Sequence, residues 1–146
     1  SSYSFGAGNA DILVVKLDNG GNIIWRKTFG GVGFEEGYDV KITGDSGCVV
    51  LGTTYSFGAG SEDFYLLKLD ANGTVEWSST FGGDDWDQGR SLCLTSDAGY
   101  ALAGFTQSFD MQKHYDLKYF VVKVDAFISV FDPKLFPVIV GPKSQE

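Results

Sequence analysis

Short apolar runs separated by glycine-rich turns make up most of this chain. The runs at 11–18 and 63–70 are almost continuously apolar, which is typical of strands covered on both faces. Asn19-Gly20-Gly21 and Gly44-Asp45-Ser46-Gly47 have the composition of tight turns. The pattern predicts an all-β chain without helices, with strands at Asp11–Asp18, Ile23–Phe29, Tyr38–Thr43, Cys48–Leu51, Asp63–Asp70, Thr74–Phe81, Arg90–Thr95, Tyr100–Thr106 and Lys118–Asp125.

The same motifs occur twice along the chain, at a spacing of 52 residues. A fixed period of this size indicates a repeat architecture. A third copy begins near Thr106 but lacks the hairpin glycine, the tryptophan and the FGG motif. The two complete sets of motifs are Tyr3–Gly8, Asp11, Lys16–Asp18, Trp25 and Thr28–Gly31, and Tyr55–Gly60, Asp63, Lys68–Asp70, Trp77 and Thr80–Gly83.

Four strands per repeat, with covered inner strands and a more polar outer strand, predict the four-stranded blade of a β-propeller. The boundaries give a half blade at 1–31, a full blade at 32–83, a partial blade at 84–125 and a divergent terminal strand or cap with a tail at 126–146. About two and a half blades do not close a ring, since propellers typically have 4 to 8. We therefore expect a piece of a longer chain, a ring completed by identical chains, or an open capped array. The incomplete first blade leaves the edge of strand 11–18 open to another chain.

The motif SFGAG…D…KLD…GN…W…TFGG resembles the repeats of extracellular and cell-surface β-propeller proteins of bacteria and archaea. This resemblance covers roughly Ser4 to Asp125 and implies a secreted or cell-surface location. The Asp-x-x-Gly-x-x-x-Trp spacing is also similar to the tryptophan-docking motif of quinoprotein-type propellers, in which the tryptophan packs between blades. The resemblance implies architecture rather than a quinone cofactor, with structural roles for Asp18, Gly21, Trp25, Asp70, Gly73 and Trp77.

The net charge of -8 and the pI near 4.5 argue against a nucleic-acid partner, because an acidic surface repels phosphates. No apolar run reaches the roughly 20 residues of a membrane helix, so no membrane span is predicted. Cys48 and Cys93 lie in apolar runs and are expected to be buried thiols, with a disulfide left open. The YSFGAG loop precedes a strand, so we interpret Phe57, Gly58 and Gly60 as parts of a packed turn and not of a phosphate loop.

Two loops, 30–37 and 82–89, are predicted to lie on the face where propellers usually bind ligands. Each contains an aromatic residue among acids, which suits sugar stacking or binding of a cationic peptide. The acids are also oxygen ligands for Ca²⁺, but their spacing matches no calcium loop, and we predict no cofactor. A further interpretation is that the acids are solvated and the aromatics pack between blades. The candidate ligand-binding residues are Phe34, Glu35, Glu36, Asp84, Asp85, Trp86 and Asp87.

No catalytic set is recognisable, since the single histidine, His114, lies in an irregular insertion away from either cysteine. The leading hypothesis is a non-enzymatic interaction or surface-structure module that assembles through open blade edges. The alternative is a fragment of a larger propeller enzyme, such as a glycan-active one, with catalytic residues elsewhere. The expected partners are other copies of this chain or the missing blades of a longer chain, and either carbohydrate or protein.

Overall fold

The computed structural model describes residues 8–109 and 118–125. These residues form antiparallel β-sheets without a helix, and none of their segments is a helix long and apolar enough to span a membrane. The nine strands of the described residues are β1 (Ile12–Leu17), β2 (Ile23–Phe29), β3 (Glu35–Ile42), β4 (Cys48–Thr54), β5 (Asp63–Leu69), β6 (Val75–Phe81), β7 (Asp87–Leu94), β8 (Tyr100–Thr106) and β9 (Lys118–Val124). They group into three sheets in chain order, β1-β2, β3-β4-β5-β6 and β7-β8-β9.

Equivalent aspartates close the β1–β2 and β5–β6 hairpins. Asp18 Oδ1 accepts hydrogen bonds from the backbone N–H groups of Gly20 and Asn22, each at 2.8 Å. Asp70 Oδ1 accepts from the N–H groups of Asn72 and Thr74 at 2.8 and 2.7 Å. The aspartate thus satisfies the turn's own donors, which is why this residue type is favoured there. Both aspartates therefore stabilise the turns in which they lie.

Two apolar clusters hold the sheets against one another. The cluster between the first and second sheets comprises Ile12, Cys48, Val50, Tyr65, Leu67 and Leu69, with Val14, Trp25 and Phe29 packed against it. The cluster between the second and third sheets comprises Val49, Leu51, Phe64, Leu66, Leu92, Tyr100, Leu102, Phe120, Val122 and Val124. Alternate side chains of β4 and β5 enter opposite clusters, so every residue of these two strands is buried.

Three of the predicted strands are longer than expected. β3 begins at Glu35 rather than at Tyr38, β7 begins at Asp87 rather than at Arg90, and β4 continues to Thr54. The pairing continues across an irregularity between Gly37 and Asp39, and across its counterpart in β7. A bulge of this kind breaks the two-residue alternation by which a strand is recognised in sequence.

The prediction that β1 is covered on both faces is wrong. Leu13, Val15 and Leu17 are exposed, although their equivalents 52 residues later on β5 are buried. The difference lies in the neighbours, because β5 lies between β4 and β6 whereas β1 pairs with β2 in a two-stranded sheet. The prediction for Cys93 is also wrong, since its thiol is exposed while that of Cys48 is buried, and both cysteines are free. The segments at 1–7 and 126–146 and the insertion with His114 lie outside the described residues.

Candidate interaction surfaces

Trp25 joins the first sheet to the turn of the second. Its indole Nε1 donates a hydrogen bond to the backbone oxygen of Ala71 at 3.1 Å. Its ring lies against Gly73, where an added Cβ atom would be about 3.0 Å from the indole. Gly73 also has a φ of +73°, so glycine suits both the turn and the close approach of the ring. Trp77, the equivalent residue, packs against the ring of Tyr100 in the third sheet at 5.7 Å between centroids.

Glu35 is not the exposed loop acid that the sequence suggested. It opens β3 and is fully buried. Its Oε2 accepts a hydrogen bond from the Gly31 N–H at 2.8 Å, and its Oε1 accepts from Thr54 Oγ1 at 2.7 Å and from the Ser56 N–H at 3.2 Å. Its carboxylate therefore fastens two loops to the end of the second sheet, which is a structural role.

Asp87 occupies the equivalent position at the start of β7 and is also fully buried. Its Oδ2 accepts hydrogen bonds from the Gly83 N–H at 2.8 Å and from Ser108 Oγ. The prediction that Glu35 and Asp87 lie in solvent-facing loops is therefore wrong, because each begins a strand and its carboxylate accepts hydrogen bonds from backbone N–H and hydroxyl groups.

Each buried acid lies close to a second one. A Cβ atom on Gly82 would be 2.0 Å from Asp63 Oδ1 and 2.6 Å from Asp87 Oδ2, so both carboxylates contact this glycine. Gly30 is flanked in the same way by Asp11 and Glu35. Burial raises the pKa of Asp63, and the neighbouring Asp87 charge adds to this despite a hydrogen bond from Gly60. Asp11 Oδ2 and Asp87 Oδ1 are buried and have no hydrogen-bond partner among the residues that the structure describes.

The other predicted ligand-binding residues are exposed near the ends of the sheets. Phe34 packs its edge against the Tyr55 ring, and Tyr38 donates a hydrogen bond to Glu36 Oε2. Asp84, Asp85 and Trp86 are exposed side by side, with Trp86 50% accessible. The backbone around Trp86 is held in place, because the Asp85 N–H donates to Ser108 Oγ and the Gln107 N–H donates to the Trp86 oxygen. The segment thus exposes an indole next to two carboxylates.

The glycine loop at 55–60 packs as a turn. Phe57 lies against the ring of Tyr65, with 5.4 Å between centroids. Gly58 has a φ of +105° and lies against the Asp63 side chain, while the Gly60 N–H donates to Asp63 Oδ2 at 3.2 Å. These contacts hold the loop to the first residue of β5 and do not form an anion site, because the loop precedes a strand.

A cleft of about 580 Å³ separates the edge of β1 from β3. Its walls are mainly apolar and include residues 12–17, Val40 and Val50. The equivalent space in the second sheet is filled, because β4 pairs with β5 there and β7 of the third sheet packs against both. Val40 is 51% exposed at the cleft, whereas Leu92, which is 52 residues further on, is 2% exposed. Val40 was not among the predicted site residues, although comparison of the repeat copies could have identified it.

Within the described ranges, no three or more His, Cys, Asp or Glu side chains converge in a group that could hold a metal ion.

No known protein-family model matches this sequence. The chain is similar to regulatory protein FlaEY of Caulobacter vibrioides, with 20% identity over 114 residues. The similar region covers 69% of this chain but 12% of FlaEY, so the chain spans about an eighth of that protein's length.

Proposed function

We propose that this chain is a non-enzymatic interaction and surface-structure module, built from β-propeller-type blades and secreted or displayed at a cell surface. The four antiparallel strands β3 to β6 support the assignment of one complete blade, and the contact of Trp25 with the next sheet supports face-to-face stacking of blades. On this assignment β1 and β2 are the outer half of a blade, and β7 to β9 are three strands of another.

The observation that carries the proposal is the open cleft along β1. A strand edge presents a row of unpaired N–H and C=O groups, and such edges bind strands from other polypeptides. Among the described strands β1 pairs with β2 alone, so it combines such an edge with apolar residues whose equivalents on β5 are buried. The module therefore works by accepting strands that complete its first sheet.

A second surface with a chemical character of its own is the exposed indole of Trp86, which directly follows the exposed Asp84 and Asp85. An aromatic face beside carboxylates suits stacking of a sugar ring with hydrogen bonds to its hydroxyl groups, or contact with a cationic side chain. We propose it as the ligand-binding surface of the same module. Loss of saccharide or basic-peptide binding in Trp86→Ala would support this role, and unchanged binding would remove it.

Backbone hydrogen exchange of the full chain tests whether β1 has an open edge. We expect the β1 amides that point away from β2 to exchange rapidly, and those of β5 to exchange slowly throughout. Uniformly slow exchange in β1 at every protein concentration would mean that the chain itself covers this edge, and the proposed function would be wrong.

A further inference from the structure

We propose that the cleft at β1 binds a two-stranded antiparallel hairpin with an aspartate in its turn, and that this aspartate pairs with Lys16. The inference rests on the proposed function, and it names the chemistry of the partner. It follows from the way in which the other two sheets bind their own hairpins.

In both the second and the third sheet, a lysine is paired with an aspartate in a turn. In the second sheet, Lys68 of β5 donates to Asp45 Oδ2 at 2.7 Å, and Asp45 lies in the turn between β3 and β4. In the third sheet, Lys123 of β9 donates to Asp97 Oδ2 at 2.7 Å, and Asp97 lies in the turn between β7 and β8. The lysine of the third strand thus clamps the turn of the hairpin beside it.

Lys16 stands at the same position of β1, 52 residues before Lys68. Its Nζ donates to the backbone oxygen of Ala71 at 2.9 Å. Lys68 has a second carboxylate partner, Glu76 at 2.7 Å, but the residue equivalent to Glu76 in the first sheet is Ile24. Within the described residues Lys16 therefore has a carbonyl partner and no carboxylate, and it lies partly buried beside the open cleft.

The turn that fits this lysine is ordered by its own side chains. In Thr43-Gly44-Asp45-Ser46-Gly47, Thr43 Oγ1 and the Gly47 N–H both donate to Asp45 Oδ1, at 2.5 and 3.0 Å. This leaves Oδ2 to accept from the lysine. The turn at 95–99 repeats the arrangement, since Thr95 and the Gly99 N–H both donate to Asp97 Oδ1. A partner with the turn Thr-x-Asp-x-Gly thus presents one free carboxylate oxygen.

The body of such a hairpin also matches the cleft. β4 pairs with β5 in the register Val50↔Leu67, and its Val49 and Leu51 share a cluster with Leu92 of the next sheet. A strand paired in the same way with β1 would place its apolar residues on Val40, the equivalent of Leu92. The Leu92 N–H also donates to Asp39 Oδ2 across the sheets at 2.9 Å. Asp39 lies on β3, so the β3–β4 hairpin carries a second acid that contacts a neighbouring sheet.

A second copy of this chain is not the partner that the geometry favours. Both of its hairpins with this turn are already engaged, since β4 pairs with β5 and β8 pairs with β9. Either one would have to leave its own sheet in order to pair with β1 of a neighbour. The partner is therefore a hairpin of the same repeat type supplied by another polypeptide segment.

In the test, the full chain is titrated with a peptide of residues 35–54 that carries Cys48→Ala. Added terminal cysteines close this peptide into a ring by a disulfide, because an isolated hairpin is only marginally stable. We expect saturable binding to one site and slowed hydrogen exchange of β1. Lys16→Glu in the chain, or Asp45→Lys in the peptide, should weaken binding at least about tenfold, as loss of a charge-assisted bond does. The two changes together should restore part of the affinity. Lys27→Glu, which makes the same charge change on β2, is the matched control and should leave binding within about twofold.

The possible outcomes separate this inference from the proposed function. Peptide binding that is insensitive to Lys16→Glu and to Asp45→Lys would overturn the pairing, while the open edge would stand. An absence of binding with rapidly exchanging β1 amides would overturn the hairpin as partner. β1 amides that become protected as the chain is concentrated would identify a second copy as the occupant and would also overturn it. Protection at every dilution would contradict both proposals.

Discussion

Val40 and Leu92 are a matched pair that measures whether the cleft is open in the isolated chain. They occupy equivalent positions 52 residues apart on β3 and β7, but Leu92 is 2% exposed and Val40 is 51% exposed. Leu92 lies in the cluster with Val49, Leu51 and Phe64. Replacing a buried leucine by alanine removes its transfer free energy and leaves a cavity, so Leu92→Ala should lower the free energy of unfolding by about 2–5 kcal/mol.

Val40→Ala should cost at most about 1 kcal/mol, because the side chain is half exposed and the remaining cost is mainly the lower strand preference of alanine. Urea denaturation of the full chain measures both values, with equal slopes required for a valid comparison. Ile42 and Leu94 are the control pair, since both are exposed at equivalent positions and their alanine variants should behave alike. A cost for Val40→Ala as large as that for Leu92→Ala would refute the reasoning, because Val40 would then be covered in the isolated chain.

Three further predictions concern the buried contacts. Gly82→Ala should destabilise the fold by about 2 kcal/mol or more, because its Cβ would overlap the Asp63 and Asp87 carboxylates. Gly44 has open space around it, so Gly44→Ala is the control and should not destabilise the fold. Thermal melts compare the two variants. The pKa of Asp63 is raised in the folded chain, so its contribution to stability falls as pH rises from below 3.8 through that raised pKa. Asp63→Asn should abolish this fall, so the variant should gain stability relative to wild type toward neutral pH. A difference in unfolding free energy between the two that stays constant with pH would contradict this. Trp25→Phe should lower the free energy of unfolding, measured in denaturant, by about 1 kcal/mol or more, because the hydrogen bond to Ala71 is lost. Trp86 is exposed, so Trp86→Phe should change the free energy of unfolding by no more than about 0.5 kcal/mol. Equal changes for the two variants would contradict the docked position of Trp25.

The hairpins could be predicted from sequence because their causes are local. In the β1–β2 and β5–β6 turns the aspartate accepts hydrogen bonds from the N–H groups two and four residues further on. The apolar runs between the turns are bounded by glycine and therefore read as strands of nearly the right length. Such features depend on a few neighbouring residues, and a sequence shows them directly.

The burial of Glu35 and Asp87 could not be predicted in this way. An acid after a glycine-rich loop ordinarily faces solvent. Here the N–H groups of Gly31 and Gly83 lie four residues before each acid, but the hydroxyls of Thr54 and Ser108 are 19 and 21 residues away in sequence. Only the paired strands bring these hydroxyls to the acids. The bulge that follows each acid also breaks the alternation of side chains, so the start of the strand is not recognisable in the sequence.

The exposure of β1 illustrates a different limit. Its sequence, ILVVKL, is nearly equivalent to that of β5, and the two runs predict the same burial. Burial depends on the strands beside and in front of a run, which are present for β5 and not for β1 within the described sheets. The number of strands in each sheet, and no chemical motif, therefore distinguishes the candidate site at β1.

The most direct test of the account is the hydrogen exchange of β1 in a chain that carries its own completing hairpin. A copy of residues 32–54 placed directly before Tyr3 reproduces the order in which a hairpin precedes β5. We predict that the β1 amides, rapidly exchanging in the original chain, become as protected as those of β5, and that Lys16→Glu reverses part of this protection. Unchanged exchange of β1 in the extended, folded chain would contradict the claim that this edge accepts a hairpin.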